Sequence, residues 1–268
     1  MPTEFLKTTA ADRINAMTFF RPSALAAALV ILLPCGLAAQ PSNDAEALDT
    51  ALSLAVMLQS ARGVIGSHQD LINDPDLGDK GLSGASVLDE AIAAYIERTG
   101  EDPRTLPDDS QRSALLRAQM GAISQVIEEN RATIDREGVG FKGFVPAVFA
   151  RLVNESFSEA VGGEARIKVT APENLVRNRR ARPDPWELDV IERHLSSPDW
   201  PTGEVFHGAA SLDDRGAYRV LVPEYYSEAC LVCHGGPAGE IDITGYPMEG
   251  GALGDLGGVI SITLFDQD

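Results

Sequence analysis

The chain has 268 residues, of which 44% are hydrophobic and 23% charged, so its composition predicts a folded core and argues against disorder. Its 40 acidic residues outnumber its 22 basic residues, which gives a net charge of −18. That charge, with an aromatic content of 6%, argues against nucleic acid or an anionic membrane surface as a partner.

The first forty residues are typical of a targeting segment. Residues 24–39 form an uncharged run that follows Arg21 and ends in small residues, the pattern of a secretory signal peptide. The run is shorter than the ~20 residues that a membrane-spanning helix needs, and Pro34 interrupts it. We therefore predict that residues 1–39 are a signal peptide, with Met17 as an alternative start, and that the protein is exported to the periplasm. The alternative is an uncleaved segment that anchors it to the inner membrane.

Helical spacing of apolar residues dominates the next part of the chain. It predicts helices from Ala45 to about Leu71, from Ala85 to Arg98, from Ser110 through Ile134 and from Phe144 to Val161. We take residues 40–109 as an N-terminal helical region.

Residues 110–268 form a second region, whose later part changes character. Alternating apolar residues predict strands over Ala165–Ala171, Tyr218–Val222 and Gly258–Phe265, and a short helix is predicted over Trp186–Leu195. Helices that precede strands indicate an α+β fold with an antiparallel sheet rather than alternating βαβ units.

The segment Cys230-Leu231-Val232-Cys233-His234 carries the clearest chemistry in the chain. C-x-x-C-H is the attachment signature of a c-type haem. The two thiols bond to the vinyl groups of the porphyrin, and the histidine becomes the proximal iron ligand. We therefore predict one covalent haem c, attached through Cys230 and Cys233, with His234 on the iron.

Three other uses of a Cys-x-x-Cys pair stay open. A redox disulfide of the thioredoxin type requires a βαβ context, which this sequence does not predict. A zinc site requires further cysteines or spaced histidines. A structural disulfide would leave the adjacent His234 without a role.

Several further stretches surround this motif: residues 141–150, 177–187, 218–219, 223–226, 239–245 and 254–263. Together with residues 230–235 they resemble the Tll0287-like (DUF3365) family of c-type haem domains. The resemblance covers about residues 45–266 and implies a PAS-like haem domain with long N-terminal helices, found alone or as the extracytoplasmic sensor of signalling proteins. Cys230, Cys233 and His234 match the haem-binding positions of that family.

The distal side of the iron has several candidate ligands. We favour His68, on the first long helix, while a partly solvated surface histidine is the alternative there. A thiolate is excluded, because Cys35 leaves with the signal peptide. The other candidates, besides water or no ligand, are His194, His207, Met57, Met120 and Met248.

Arginines cluster in the segment from residue 177 to residue 182 of this acidic chain. We predict that Arg177 and Arg179 contact the haem propionates, which suit bidentate guanidinium groups. The alternative is a surface loop that nearby acids balance.

These features together predict an exported single-haem protein that senses redox state or a diatomic gas through the iron. The alternative is a periplasmic electron-transfer cytochrome that docks to a redox partner. No catalytic motif, phosphate loop or dinucleotide fingerprint is found in the sequence, so we do not expect an enzyme. A diatomic gas and a redox or signalling protein are the expected partners.

Overall fold

The computed structural model describes residues 43–266, and the predicted signal peptide lies outside this range. The described residues belong to one compact unit. Its elements are α1 (Asn43–Ser67), α2 (Gln69–Asn73), α3 (Gly84–Thr99), α4 (Gln111–Ile134), α5 (Pro146–Ala160), β1 (Ala165–Thr170), α6 (Pro185–Val190), β2 (Phe206–Leu212), β3 (Arg215–Tyr225), α7 (Glu228–His234) and β4 (Leu256–Phe265). This order confirms the predicted α+β class. Among the described helices, none is both long and apolar enough to cross a bilayer.

Local signals explain where the long helices begin and end. The hydroxyl of Ser83 accepts a hydrogen bond from the amide of Ser86 at the start of α3, and Ser110 caps α4 in the same way. Gly100 ends α3 with a φ of 74°, a conformation that favours glycine. The first predicted helix is divided in two, because His68, with a ψ of 9°, interrupts it between α1 and α2.

The four strands form one antiparallel sheet in the order β1-β4-β3-β2. One face carries Ile167, Val220 and Ile262, which belong to the same buried cluster as the apolar residues of α1, α3, α4 and α5. α1 contacts both β3 and β4, so the helices of the predicted N-terminal region pack directly on the sheet. Strand β2 was not among the predicted elements.

The opposite face of the sheet holds α6 and a buried charge. Leu221 and Val259 pack against a smaller apolar cluster that includes Val190 and Ile191. Beside them Arg219 is 1% exposed, and its guanidinium lies 4.4 Å from the ring centroid of Trp186. One Nη of Arg219 lies 2.6 Å from Asp184 and 3.2 Å from Glu187. These ion pairs fasten the start of α6, and the basic segment before it, to the sheet.

Between β3 and β4 the chain leaves the sheet for about thirty residues, which hold α7 and a long loop. Arg62 of α1 forms an ion pair with Glu224 near the end of β3 at 2.6 Å, which holds the helical layer against the end of that strand. The predicted haem motif lies near the beginning of the segment between β3 and β4, on α7.

Candidate functional site

Helix α7 presents both cysteines of the motif as free thiols. Residues three apart lie on the same side of a helix, so Cys230 and Cys233 share one side of α7. Both are partly exposed, and Ser227 Oγ lies 3.3 Å from Cys230 Sγ. α7 ends at Gly235, where a Cβ would come within 2.5 Å of the Leu231 carbonyl oxygen. A glycine is therefore required directly after the motif histidine.

His234 is held by a carboxylate and an aromatic ring. Its Nδ1 lies 2.9 Å from Glu249 Oε2, and its ring stacks on Tyr226 with centroids 5.2 Å apart and an angle of 19°. Its Nε2 makes no hydrogen bond to a described residue, and the side chain is 32% exposed. A histidine that donates Nδ1–H to a carboxylate keeps the Nε2 lone pair free for a metal.

Arg177 connects the loop after α7 to α7 itself. Its Nε donates to Glu249 Oε1 at 2.6 Å, and one Nη donates to Asp242 Oδ2 at 2.6 Å. The other Nη donates to the Cys233 carbonyl oxygen at 2.8 Å and to Glu249 Oε2 at 2.9 Å. Arg177 therefore fixes the positions of Glu249 and the end of α7 at the same time.

The two carboxyl groups of this network stay ionised. Burial would raise the pKa of Asp242, but hydrogen bonds from Thr244, from Arg177 and from nearby backbone amides lower it well below 3.8. Burial acts the same way on Glu249, and its bonds to Arg177 and His234 lower its pKa below 4.5. The partners also raise the pKa of Arg177, although burial alone would lower it. The network thus holds two carboxylates against one guanidinium, which is a net charge of −1 while His234 is neutral.

The thiol of Cys233 is less acidic than a free cysteine. Burial, followed by the nearby Asp242 carboxylate, raises the pKa of Cys233 above 9.0. The redox-disulfide alternative stays open. Within residues 43–266, no group of three or more His, Cys, Asp and Glu side chains is arranged to hold a metal ion, so the zinc alternative gains no support there.

Tyr226 forms the wall behind His234 and fits between two glycines. A Cβ on Gly257 would overlap the ring of Tyr226, and a Cβ on Gly251 would lie 2.5 Å from its Cε2. Its hydroxyl is buried without a hydrogen-bond partner among the described residues. Burial, with the charge of Glu249 next in importance, raises the pKa of Tyr226 to about 12. The ring is therefore a neutral, closely packed support for the imidazole.

A hydrogen-bonded closure holds the loop that contains Asp242 and Glu249. The amide of Gly250 donates to the Gly235 carbonyl at 2.7 Å, and the amide of Gly251 donates to the His234 carbonyl at 2.8 Å. Both ends of the loop consequently lie at the end of α7, and Glu249 reaches the motif histidine from across fifteen residues of chain.

Comparison with known families gave one match. The model of the family described as Tll0287-like: Tll0287 matches residues 40–264, a range that includes every described helix and strand except the last residue of β4. The chain belongs to the Tll0287-like family. The predicted resemblance is therefore confirmed, and the Tll0287-like domain includes the long N-terminal helices. No curated protein and no solved structure matched the chain.

In the described part of the Tll0287-like domain, most of the exposed large apolar side chains lie in the segment that begins at the cysteine motif. Six large apolar side chains are markedly exposed in the described part of the chain, and five of them fall between residues 232 and 253: Val232, Ile241, Ile243, Tyr246 and Leu253. Val232, between the two cysteines, is 72% exposed. Exposed apolar side chains suit a large apolar ligand. The two thiols, the free Nε2 and these side chains fit a haem.

The structure does not bring His68 to α7. His68 Nε2 lies 2.9 Å from Glu90 of α3, and no hydrogen bond or ring contact joins it to α7 among the described residues. Met57 and Met120 are buried in the helical core, as core packing predicts. His194 packs against Trp200 and Phe206. The assignment of a distal ligand stays a prediction.

Two of the remaining candidate residues have informative positions. The Tyr218 hydroxyl lies 2.6 Å from His207 Nδ1 in the strand pair β2–β3. Met248 is partly buried and lies directly before Glu249, in the loop that follows α7.

Of the two arginines predicted to contact the haem propionates, Arg177 is engaged in the network described above, whereas Arg179 is exposed and makes no side-chain hydrogen bond to a described residue. The propionate contacts also stay a prediction.

Sequence reasoning assigned no role to Glu249, Asp242 or Tyr226, although Asp242 and Tyr226 lie in stretches that resemble the family. None of them belongs to the C-x-x-C-H pattern, and Glu249 is one of 40 acidic residues. The contact of Glu249 with His234 depends on the closure of the loop and on Arg177, which lies 72 residues away from Glu249 in sequence. A local pattern contains no signal for such a contact.

Proposed function

We propose that this member of the Tll0287-like family is an exported, PAS-like protein that binds one haem covalently and senses redox state or a diatomic gas. The observation that carries the proposal is the combination on α7 of two free thiols with an imidazole whose Nδ1 is bonded to Glu249. The family match supports it, because the matched range contains the whole motif.

Each residue has a defined task in this proposal. Cys230 and Cys233 would hold the haem through two thioether bonds, each formed by adding an S–H bond across a vinyl group, with the proton passing to the neighbouring carbon. His234 offers the Nε2 lone pair, and Glu249 keeps the proton on Nδ1 by accepting its hydrogen bond. Haem, when bound, supplies an iron that changes oxidation state and accepts a ligand at its sixth position.

Covalent attachment is tested by haem staining. The full chain is expressed together with a c-type cytochrome maturation system, and cell fractions are separated on a denaturing gel. We expect the wild type and the control variant Val232→Ala to stain in the periplasmic fraction. The double variant Cys230→Ser, Cys233→Ser should lose all stain, because neither thioether can form. Stain that persists in the double variant, or its absence from the wild type, contradicts the proposal.

Gas sensing is tested by visible spectra. An iron that senses a gas must exchange its sixth ligand, so we expect CO or NO to change the spectrum of the reduced protein. A spectrum that gas leaves unchanged tells against gas sensing and leaves redox sensing and the electron-transfer cytochrome, and the net charge of −18 suits the latter through docking to a basic partner. Repeating the spectra with His68→Ala tests that residue as the distal ligand, and an unaltered spectrum excludes it.

A further inference from the structure

We infer that Glu249 and Arg177 form an opposed charge pair that sets the reduction potential of the iron bound by His234. Glu249 favours the oxidised iron, and Arg177 limits that effect. The inference rests on the proposed haem site and goes beyond it, because it assigns a tuning task to two residues outside the C-x-x-C-H motif. They are positioning residues that act through the imidazole.

The geometry places the charges directly behind the proximal ligand. Glu249 Oε2 lies 2.9 Å from His234 Nδ1, and the same oxygen accepts from Arg177 at 2.9 Å. The Glu249 side chain is 14% exposed and that of Arg177 is 18% exposed. Charges that are largely removed from water are screened weakly, so both act on the imidazole at short range.

The sign of each effect follows from electrostatics. Oxidation adds one positive charge to the iron. An anion that accepts the Nδ1–H bond makes the imidazole a stronger electron donor and stabilises the oxidised form. A cation bonded to that anion withdraws part of its charge and favours the reduced form. Loss of the two partners is therefore expected to shift the potential in opposite directions.

A purely structural role makes a different prediction. Arg177 also donates to the Cys233 carbonyl and to Asp242, so either substitution could loosen the end of α7. Loosening would expose the site to water in both variants and shift both potentials in the same direction. The sign of the shift, rather than its size, therefore distinguishes charge tuning from support.

The experiment is a spectroelectrochemical titration of the haem-loaded full chain at pH 7, performed on the wild type, Glu249→Gln, Arg177→Gln and Glu240→Gln. Glu240 is exposed on the same loop, so its variant is a control for the same change in charge. We expect Glu249→Gln to raise the midpoint potential. At a fixed potential, its ratio of oxidised to reduced protein should fall about tenfold, which corresponds to about 59 mV for one electron. Arg177→Gln should lower the potential, and Glu240→Gln should leave it close to the wild-type value.

Each outcome decides the inference. Shifts of opposite sign in the two variants support it, and so does a lowered potential in Arg177→Gln if Glu249→Gln takes up no haem. Shifts of the same sign, or a Glu249→Gln shift no larger than that of Glu240→Gln, overturn it. Failure of both variants to take up haem also overturns it, because the pair then serves folding. An unstained wild type is a separate failure, that of the haem proposal.

Discussion

Replacing Gly257 with alanine tests the packing that supports the motif histidine. Gly257 lies in β4, and a Cβ there would overlap the ring of Tyr226. The ring cannot retreat freely, because the backbone of Gly251 lies against its other edge. The methyl group must therefore displace either the ring or the strand, and a displaced ring loses its stacking on His234.

The magnitude follows from the cost of overpacking a buried site. Inserting one methyl group into a well-packed site costs about 1–3 kcal/mol of unfolding free energy. In a domain of this size, each kcal/mol lowers the melting temperature by about 2–4 °C. The control is Gly208→Ala in β2, where nothing lies within 4 Å of the new Cβ. There alanine is expected to stabilise the strand by roughly 0.5–1 kcal/mol, because glycine loses more backbone freedom on folding.

Urea unfolding of the two variants and the wild type, monitored by circular dichroism, measures these differences. A Gly257→Ala variant as stable as Gly208→Ala would refute the reasoning, since both are strand glycines in the same sheet. A double-mutant cycle with Tyr226→Leu locates the cause. In the Tyr226→Leu background, the Gly257→Ala substitution should cost much less, because the ring that it displaces is gone.

Two further predictions concern charges. The pKa of Asp242 is lowered in the folded state, so its stabilisation is complete above its ordinary pKa of 3.8 and is lost progressively as the pH falls from there towards the folded value. Unfolding free energies measured at about pH 6 and about pH 3 should therefore fall less in Asp242→Asn than in the wild type, and an equal fall would contradict this reasoning. Arg219→Met removes a buried cation from Asp184 and Glu187, of which Glu187 keeps its ion pair with Lys168, and should cost about 3 kcal/mol in urea unfolding. Arg193→Met, which removes an exposed pair, should cost about 1 kcal/mol or less, and equal costs for the two variants would refute the buried-pair argument.

The helical layer could be predicted closely because its signals are local. Ser110 begins α4 by accepting a hydrogen bond from a backbone amide three residues along the chain. Gly100 ends α3 through its own φ angle. The strands β1 and β4 were predicted from alternating residues, of which one set faces the helices. For these elements the sequence pattern and the tertiary packing favour the same structure.

Strand β2 and helix α7 were not predicted, for two physical reasons. β2 is an edge strand built largely from small residues, Gly208, Ala209, Ala210 and Ser211, so its two faces differ little in polarity. α7 has only seven residues, too few for helical periodicity to show. The three motif residues of the site were predicted because their chemistry needs a fixed local spacing. Their supporting residues depend on contacts made only in the folded chain.

The closed loop after α7 has a consequence for protein engineering. Because its two ends meet at Gly235 and Gly250, we expect a replacement segment grafted between them to keep both ends beside α7. Asp242 and Glu249 set the limits of such a graft, since they hold the loop to Arg177.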